Sequence, residues 1–386
     1  MRLKNLWTDN RQEVEKFHIK QIVAISGDGH LRDESDAAID FRNYLEIVPA
    51  TFLRKYCEQI LEERFDESGL ALQDLINQVG CRLGFQVEFG RYRGNPNAIG
   101  HDGIWTFASG HKAIVEIKTT SAYQVRLETI ANYRKRLIDE QKLSEGHSSI
   151  LIVVGEDSTI DLEAQIRGSR HAWDIRLISV GALLRLLDVK EELEDPAIVN
   201  KIHEVLIPRE FTKLDEIVEL LFTTAADLRP EVEAEDEATI VDHTESEESS
   251  DVASFAASSL RRIEARIGST LIKQTRSSYA ASDGNTVVIC KASRSYDERS
   301  YRFWFGFYVF QLEMIQHVSR GFAAFQCGAP DNLLLIPVEE FSQWTAQMNT
   351  TKVKSRVYWH VHISEDFQLI RKAGAKAIDL RPFLIA

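Results

Sequence analysis

Apolar residues along the chain recur at two different spacings, and each spacing predicts a different element. From Gly69 to Leu83 they recur every three or four positions, which predicts a helix. From Phe85 to Phe89 they alternate with polar residues, which predicts a strand. Two further apolar runs, 104–107 and 113–118, predict two more strands, and Gly110 between them predicts a turn. The first part of the predicted core is therefore a helix followed by three strands.

The segments that follow complete an α/β pattern. They predict a basic amphipathic helix, a strand with apolar residues on both faces, a second helix and a last strand, at residues 126–138, 149–154, 162–172 and 175–179. A strand that is apolar on both faces is expected at the centre of a sheet. An antiparallel meander, a crossover helix and a buried strand together predict a mixed sheet between layers of helices, an αβα sandwich.

Residues 1–64 are predicted to be an N-terminal extension of this core. Gly27–His30 predicts a turn between short strands, one of them the apolar stretch Ile19–Ile25. From residue 41 to residue 61 the apolar residues return to helical spacing, interrupted by Pro49. Two short helices that meet at this proline are expected, so the extension is predicted to be largely helical.

Charge is distributed unevenly along the chain. The formal net charge of −13 by itself argues against a polyanionic partner. Residues 231–252, however, contain 10 acidic residues and no basic one, whereas residues 253–386 contain 17 Lys and Arg against 11 Asp and Glu. A basic C-terminal unit therefore follows an acidic segment. This segment is either a solvated linker or a strap that covers the basic unit when nucleic acid is absent.

The basic C-terminal unit is predicted to be mainly β. Its stretches rich in aromatic and β-branched residues predict strands at 286–289, 301–310, 333–336 and 357–363, with a helix near 339–348. A chain of 386 residues exceeds one ordinary domain. The predicted division is an N-terminal extension, a core, a helical region, an acidic linker and a basic β-rich domain, at residues 1–64, 65–188, 189–229, 230–252 and 253–386.

The composition is that of a soluble globular protein, with 44% hydrophobic and 27% charged residues. No apolar run approaches the roughly 18 to 20 residues of a membrane span, and the first residues lack the apolar stretch of a signal peptide. We therefore expect a cytoplasmic protein that does not contact a membrane. The cysteines show no paired spacing, which fits reduced thiols better than a zinc site or disulfides.

Three charged residues form the candidate catalytic motif. Asp102 precedes the 104–107 strand, and Glu116 and Lys118 stand two positions apart on the next strand, so these two share one face. A hairpin between the two strands would bring Asp102 beside Glu116. Two converging carboxylates and an ammonium suit the metal-assisted hydrolysis of a phosphodiester. The alternative is structural, with Glu116 and Lys118 as an ordinary surface pair and Asp102 as the cap of a turn.

In order, spacing and strand context these residues resemble the motif of the PD-(D/E)xK nuclease superfamily. Asp102 matches its Asp, and Glu116-Ile117-Lys118 matches its (D/E)xK, within a resemblance that covers roughly residues 65–188. The resemblance implies a restriction-endonuclease-like fold. It implies further that Asp102, Glu116 and the Ile117 carbonyl hold Mg²⁺, for which Mn²⁺ can substitute. Lys118 would orient or deprotonate the attacking water.

One position departs from the family pattern. The superfamily usually adds an acidic residue from the helix before the meander, and the residue that matches by helical phase is Gln73. Asp74 and Glu67 are near it in the sequence. Gln73 is therefore a candidate catalytic residue, and the number of metal ions, one or two, stays open.

Basic residues beside the motif and in the C-terminal unit are candidates for binding nucleic acid. They can contact phosphates without reading bases. Near the motif they are Arg91, Arg93, Arg126 and Arg134, and in the C-terminal unit they are Arg294, Arg299, Lys352 and Lys354. The second group accompanies aromatic stretches such as Tyr301–Tyr308, whose rings could stack on an unpaired or flipped base. For each residue alone, a solvated surface position is the simpler interpretation.

The motif and the basic domain together predict a Mg²⁺-dependent DNA endonuclease. The resemblance favours a role in restriction or anti-phage defence, with the C-terminal domain reading DNA sequence or base modification. Cutting both strands of a duplex needs paired catalytic units, so double-stranded DNA and a homodimer are expected. The alternatives are a nuclease of repair or recombination, a non-catalytic DNA-binding or sensor protein on a nuclease scaffold, and an enzyme that acts on RNA.

Overall fold

The chain forms two compact units, Met1–Pro230 and Glu231–Ala386. The computed structural model describes residues 2–92, 100–119, 125–155, 159–192, 196–208, 214, 218, 255–296, 301–353, 356–372 and 375–385. The predicted acidic linker, 230–252, lies outside these residues. Among the described residues, no helix is long and apolar enough to cross a membrane.

The first unit is a mixed α/β structure. Its helices are α1 (Arg2–Asp9), α2 (Arg11–Val14), α3 (Ile19–Ile25), α4 (Asp36–Ile47), α5 (Ala50–Glu62), α6 (Ser68–Leu83), α7 (Leu127–Asp139), α8 (Ile160–Arg167), α9 (Val180–Glu192) and α10 (Pro196–Leu206). Its strands are β1 (Gln86–Phe89), β2 (Gly103–Thr106), β3 (Lys112–Lys118), β4 (Ser148–Val154) and β5 (Ile175–Ser179).

The five strands form one sheet in the order β1-β2-β3-β4-β5. The pairs β1–β2 and β2–β3 are antiparallel, whereas β3–β4 and β4–β5 are parallel. The antiparallel part is the predicted meander, because β1, β2 and β3 pair in chain order and each runs opposite to the one before it. The parallel part needs crossovers, and the helices α7 and α8 lie in those connections. The predicted mixed sheet is therefore confirmed.

Helices cover both faces of this sheet. On β4, Ile150, Ile152 and Val154 pack in one core cluster with residues of α7 and α8. Leu151 and Val153 point to the opposite face and join a larger cluster that includes residues of α6 and α9. A strand with period-two alternation can bury both faces only if a layer of helices lies on each side. The unit is thus the predicted αβα sandwich, compatible with a restriction-endonuclease-like arrangement.

The N-terminal extension is helical throughout its described elements, and one prediction for it is wrong. The stretch Ile19–Ile25, expected to be a strand, is the helix α3. His18 caps this helix, because its side chain accepts a hydrogen bond from the Lys20 amide. Ile19, Ile22 and Val23 bury one face of this helix. In a stretch of only seven residues, apolar spacing alone does not distinguish a helix from a strand.

Two further boundaries are informative. The helices α4 and α5 meet at Val48–Pro49 as predicted, and Pro49 occupies the position before the first residue of α5. The crossover helix predicted to reach residue 172 instead ends at Arg167, where Gly168 follows. Glycine lowers helix stability, so residues 169–172 do not extend the helix.

The second unit combines two sheets with flanking helices. Its elements are α11 (Ala257–Ile267), β6 (Leu271–Lys273), β7 (Ser278–Ala281), β8 (Thr286–Ser293), β9 (Phe303–Tyr308), α12 (Val309–Gln316), β10 (Arg320–Cys327), β11 (Leu333–Pro337), α13 (Val338–Thr345), β12 (Thr350–Val353), β13 (Arg356–Ile363), β14 (Gln368–Ile370) and β15 (Ile378–Asp379). One sheet has the order β11-β10-β8-β7-β6, and the other has the order β12-β13-β14-β15 with β9 paired to β13.

The β-rich character predicted for this unit is confirmed, with one correction. The strand predicted from residue 301 to residue 310 ends at Tyr308, and α12 begins at Val309. A capping interaction fixes this switch, because the Gln311 side chain accepts a hydrogen bond from the Tyr308 amide at 2.9 Å. The elements that were not predicted from the pattern are α11, α12, β6, β7, β10, β12, β14 and β15.

Packing of α6 against β2 provides a test of the core. A Cβ atom at Gly80 would lie 2.5 Å from the Trp105 ring, whereas a Cβ atom at Gly69 in the same helix would have nothing within 4 Å. Gly80→Ala is therefore expected to lower the free energy of unfolding by roughly 1–3 kcal/mol, the usual effect of overpacking. Gly69→Ala is the matched control and should be neutral or slightly stabilising. Urea denaturation checks both, and equal effects would contradict this packing.

Candidate active site

The pairing of β2 with β3 brings the three motif residues together. Gly103 pairs with Val115, so Asp102, one residue earlier, lies across from Glu116. The Asp102 Oδ2 atom accepts a hydrogen bond from the Ile117 amide at 2.7 Å. On the same face of β3, Lys118 Nζ donates to Glu116 Oε1 at 2.5 Å. The hairpin predicted from the sequence is present, and it joins these side chains into one cluster.

Burial and like charge make this cluster electrostatically unusual. Glu116 is 9% exposed. Burial, together with the neighbouring Glu116 charge, raises the pKa of Asp102 to about 7, although the Ile117 amide and Lys118 act in the opposite direction. Burial tends to lower the pKa of Lys118, but the Glu116 and Asp102 carboxylates outweigh it and the pKa is raised. Lys118 is therefore held as an ammonium ion, suited to orienting a water or a phosphate oxygen.

The donor set of this cluster fits a hard divalent cation. Asp102 and Glu116 each have a second carboxylate oxygen beyond the one that accepts the bonds described above. A bound cation would offset the burial and the Glu116 charge, which together raise the pKa of Asp102. In the described part of the chain, no group of three or more His, Cys, Asp or Glu side chains could hold a metal ion. Two carboxylates are a ligand set that Mg²⁺ can use, because it takes few protein ligands and keeps several waters.

Gln73 lies beside the cluster and acts on the backbone of Asp102. Its Nε2 atom donates to the Asp102 carbonyl at 3.2 Å and to the Arg91 carbonyl at 3.5 Å. The residue is 4% exposed, so this amide is part of the interior. Gln73 thus positions the strand that carries Asp102. Its predicted role at the metal stays a prediction.

Asn77 was missed by the sequence analysis, and it clamps the same backbone. Its Nδ2 atom donates to the Asp102 carbonyl at 2.8 Å, and its Oδ1 atom accepts from the Trp105 indole at 2.9 Å. A Cβ atom at Gly103 would lie 2.2 Å from Asn77 Oδ1, so this approach requires glycine. The available clue was the four-residue spacing of Gln73 and Asn77, which places two amides on one face of α6.

The two acidic residues near Gln73 serve other contacts. Asp74 is fully buried, and its Oδ2 atom accepts from Arg42 Nε at 2.9 Å and from the Tyr92 hydroxyl. Burial raises the pKa of Asp74 to about 6 despite the Arg42 charge. Glu67 Oε2 accepts from the Leu31 amide at 3.3 Å. Both carboxylates therefore join the core to the N-terminal extension.

The predicted phosphate-binding residues fall into two groups in the first unit. Arg91 and Arg126 are exposed. Arg134 is engaged within the protein: its guanidinium donates to Ser148 Oγ at 3.0 Å and lies 3.3 Å from Asp174 Oδ1, and its side chain is 11% exposed. Arg93 lies outside the described residues. Arg134 is thus held by contacts within the protein, and Arg91 and Arg126 are exposed among the three that the structure describes.

In the second unit, two of the four predicted residues are described. The Arg294 guanidinium lies over the Tyr296 ring, 5.2 Å from its centroid. Lys352 is exposed on β12. Arg299 and Lys354 lie outside the described residues. A phosphate-binding role for all four remains a prediction.

Comparisons with known proteins add little to this geometry. No protein-family model matches the chain, and no curated protein matches it. Among solved structures, the chain is similar to the restriction endonuclease PspGI in complex with its substrate DNA. The two chains share 12% sequence identity at a TM-score of 0.25, and the match covers 59% of this chain and 94% of that chain. A similarity of this size carries no argument, so the site rests on its own residues.

The raised pKa of Asp102 predicts how the stability of the metal-free protein changes with pH. The pKa is about 7 in the folded chain, against an ordinary value of 3.8. Folding then favours the protonated carboxyl, so the free energy of unfolding falls as pH rises from about 4 to about 7. Each unit of difference between the folded and the unfolded pKa contributes about 1.4 kcal/mol to this fall.

Asp102→Asn removes this group, so it should raise the free energy of unfolding more at pH 8 than at pH 5. Urea denaturation in EDTA measures both values. Glu116→Gln, which removes the neighbouring charge, should make the stability of the protein depend less on pH. A loss of stability in Asp102→Asn that is equal at the two pH values would be inconsistent with this electrostatic interpretation.

The position of Gln73 predicts that an acidic residue there is unfavourable. In Gln73→Glu, a carboxylate would face the carbonyl oxygens of Asp102 and Arg91, to which it cannot donate. We expect the free energy of unfolding without metal to fall by roughly 1–3 kcal/mol, with Gln73→Ala as a milder control. If Gln73→Glu instead gains stability when Mg²⁺ is added, beyond the gain of the parent, position 73 is a metal-ligand position.

Proposed function

We propose that this protein is a metal-dependent DNA endonuclease of the PD-(D/E)xK type, with Asp102, Glu116 and Lys118 as its catalytic residues. One observation carries the proposal. The β2–β3 pairing sets a carboxylate at the start of one strand against a Glu-x-Lys on the next, with Asp102 Oδ2 bonded to the Ile117 amide at 2.7 Å. Two carboxylates and an ammonium lower stability when they are buried together, but they suit the hydrolysis of a phosphodiester.

Each motif residue has a distinct part in the proposed reaction. Asp102, Glu116 and the Ile117 carbonyl would hold Mg²⁺, and Mn²⁺ could replace it. When bound, the cation lowers the pKa of a water and neutralises charge on the phosphate. The Lys118 ammonium, held by Glu116, orients the attacking water or a phosphate oxygen. Because a protonated carboxyl is a poor ligand, the raised pKa of Asp102 makes cation binding stronger as pH rises through about 7.

DNA is the substrate that the positive charges of the two units favour. The backbone carbonyls of Arg91 and Asp102 share one donor, Gln73 Nε2, so the exposed Arg91 lies close to the motif. Residues 253–386 contain 17 Lys and Arg against 11 Asp and Glu. Such positive charge suits a polyanion. We propose that the second unit reads DNA sequence or base modification, that the substrate is double-stranded, and that a homodimer in the cytoplasm serves restriction or anti-phage defence.

A non-catalytic DNA-binding or sensor protein is the second candidate. It is favoured by Gln73, which is a hydrogen-bond donor where the family usually has an acid. A nuclease of repair or recombination shares the same site, and would prefer a DNA structure over a sequence.

Cleavage assays test the catalytic assignment. We expect cutting of plasmid DNA that requires Mg²⁺ or Mn²⁺, and a loss of rate of at least about a hundredfold in Asp102→Ala and in Lys118→Ala. Glu13→Ala and Lys16→Ala are matched controls, because these residues form an exposed pair at 2.7 Å on the protein surface. Both controls should cleave like the parent. Digestion of methylated and unmethylated plasmid, followed by mapping of the cleaved ends, identifies the sequence and the modification that the protein recognises.

The possible outcomes separate the candidates. If DNA is bound but stays intact with either metal, the protein is a binder or sensor rather than a nuclease. Cleavage that survives both motif substitutions would show that the site is elsewhere. Preferential cleavage of RNA in the same assay would overturn DNA as the substrate.

A further inference from the structure

One face of the β9–β13 pair is aromatic in a way that core packing does not explain. On β9, Phe303, Phe305 and Phe307 are buried in the core cluster, together with Val361 and Ile363 of β13. The alternate residues of both strands point to the other face. That face is only partly covered: most of its rings are half-buried.

The rings on this face, with two neighbours from the preceding loop, form a continuous series, which we term the aromatic array. Its members are Tyr296, Tyr301, Trp304, Tyr308, Tyr358, His360 and His362. Successive ring centroids are 4.1 to 6.0 Å apart. The closest pair is Tyr301 and His362, stacked at 4.1 Å with 5° between their planes. The array therefore presents a connected aromatic surface.

Hydrogen bonds fix the centre of the aromatic array. The Trp304 indole donates to His360 Nδ1 at 3.0 Å. An indole nitrogen can only donate, so His360 Nδ1 must accept and His360 Nε2 carries the proton. That nitrogen lies 2.7 Å from the Thr351 hydroxyl and donates to it. The two rings are thus held in one orientation before any ligand arrives, which lowers the entropy lost on binding.

Cations stand at both ends of the aromatic array. Lys291 Nζ lies 5.5 Å from the centroid of the Tyr308 ring, at one end. At the other end, the Arg294 guanidinium lies 5.2 Å from the centroid of the Tyr296 ring. Rings flanked by cations match a ligand that has flat apolar faces and negative charge at regular intervals. A strand of nucleic acid has both features.

We propose that the aromatic array binds unpaired bases of a DNA strand by stacking, with Lys291 and Arg294 near the flanking phosphates. Bases inside a duplex are stacked on each other, so the array takes bases that are single-stranded or flipped out. The choice of DNA rests on the proposed function, whereas the stacking surface itself does not. The array would let the second unit distinguish an unpaired base from a paired one, because only the unpaired base exposes its faces.

The test uses the full chain carrying Asp102→Asn, in EDTA, so that cleavage cannot occur. Fluorescence anisotropy measures the affinity for a labelled twelve-nucleotide DNA strand, for its duplex and for a duplex with one unpaired base. We expect the two ligands with unpaired bases to bind about tenfold or more tighter than the paired duplex. Trp304→Leu should weaken their binding by about 5- to 150-fold, the range for one stacked base.

Two further variants separate stacking from folding. Trp304→Phe loses the hydrogen bond to His360 but keeps an aromatic ring, so it should bind within a few-fold of the parent. Trp173→Leu is the matched control, because Trp173 is 77% exposed in the first unit, and it should leave affinity unchanged. Equal losses in Trp304→Leu and Trp304→Phe would overturn the proposal, since the hydrogen bond rather than the ring would then matter.

Other results decide between this inference and the nuclease. Equal affinity for paired and unpaired DNA, or preference for RNA of the same sequence, would overturn the aromatic array as a site for DNA bases. If the chain with native Asp102 cuts no DNA while Trp304-dependent binding persists, the array stands and the nuclease proposal fails. If the chain cuts DNA and Trp304→Leu binds like the parent, the proposed role of the aromatic array fails and the nuclease proposal stands.

Discussion

The antiparallel pairing of β2 with β3 is the constraint on which the candidate site depends. It sets Asp102 against Glu116, and the same backbone is held from the other side. The Asp102 carbonyl accepts bonds from Gln73, from Asn77 and from the Gly90 amide, at 3.2, 2.8 and 3.0 Å. A residue held by so many bonds cannot shift without breaking several of them. The rigidity of the site therefore comes from backbone contacts with α6 and β1, more than from the charged side chains.

Electrostatic repulsion is built into this rigid frame. Two carboxylates share a buried position, and Lys118 and the Ile117 amide counter their charge. Burial, and after it the charge of Glu116, raises the pKa of Asp102. Sites that depart from the rule that buried charges are paired are most often functional, because the arrangement lowers stability without improving packing. The cation that we propose would offset this repulsion, so its binding would affect both stability and chemistry.

The two units differ in the physical means by which they could engage a nucleic acid. The first has two carboxylates on the β2–β3 pair with an exposed arginine near them, which suits a metal-bound phosphate. The second has a net positive charge and the aromatic array, which suits a base. Phosphate contacts position a protein on DNA, whereas contacts to bases carry information. The proposed division of labour, with chemistry in the first unit and recognition in the second, rests on these properties.

By itself, the sequence determined the sheet of the first unit and the core of the motif. The strands β1 to β5 begin and end within one residue of the positions expected from apolar spacing, since that spacing records burial directly. The contact of Glu116 with Lys118 followed from the period of two. Only the tertiary structure decided that Ile19–Ile25 is a helix, that Gln73 and Asn77 hold the Asp102 backbone, and that Arg134 is internal. These outcomes depend on partners distant in the chain, such as Asp174 for Arg134, and local periodicity carries no record of such partners.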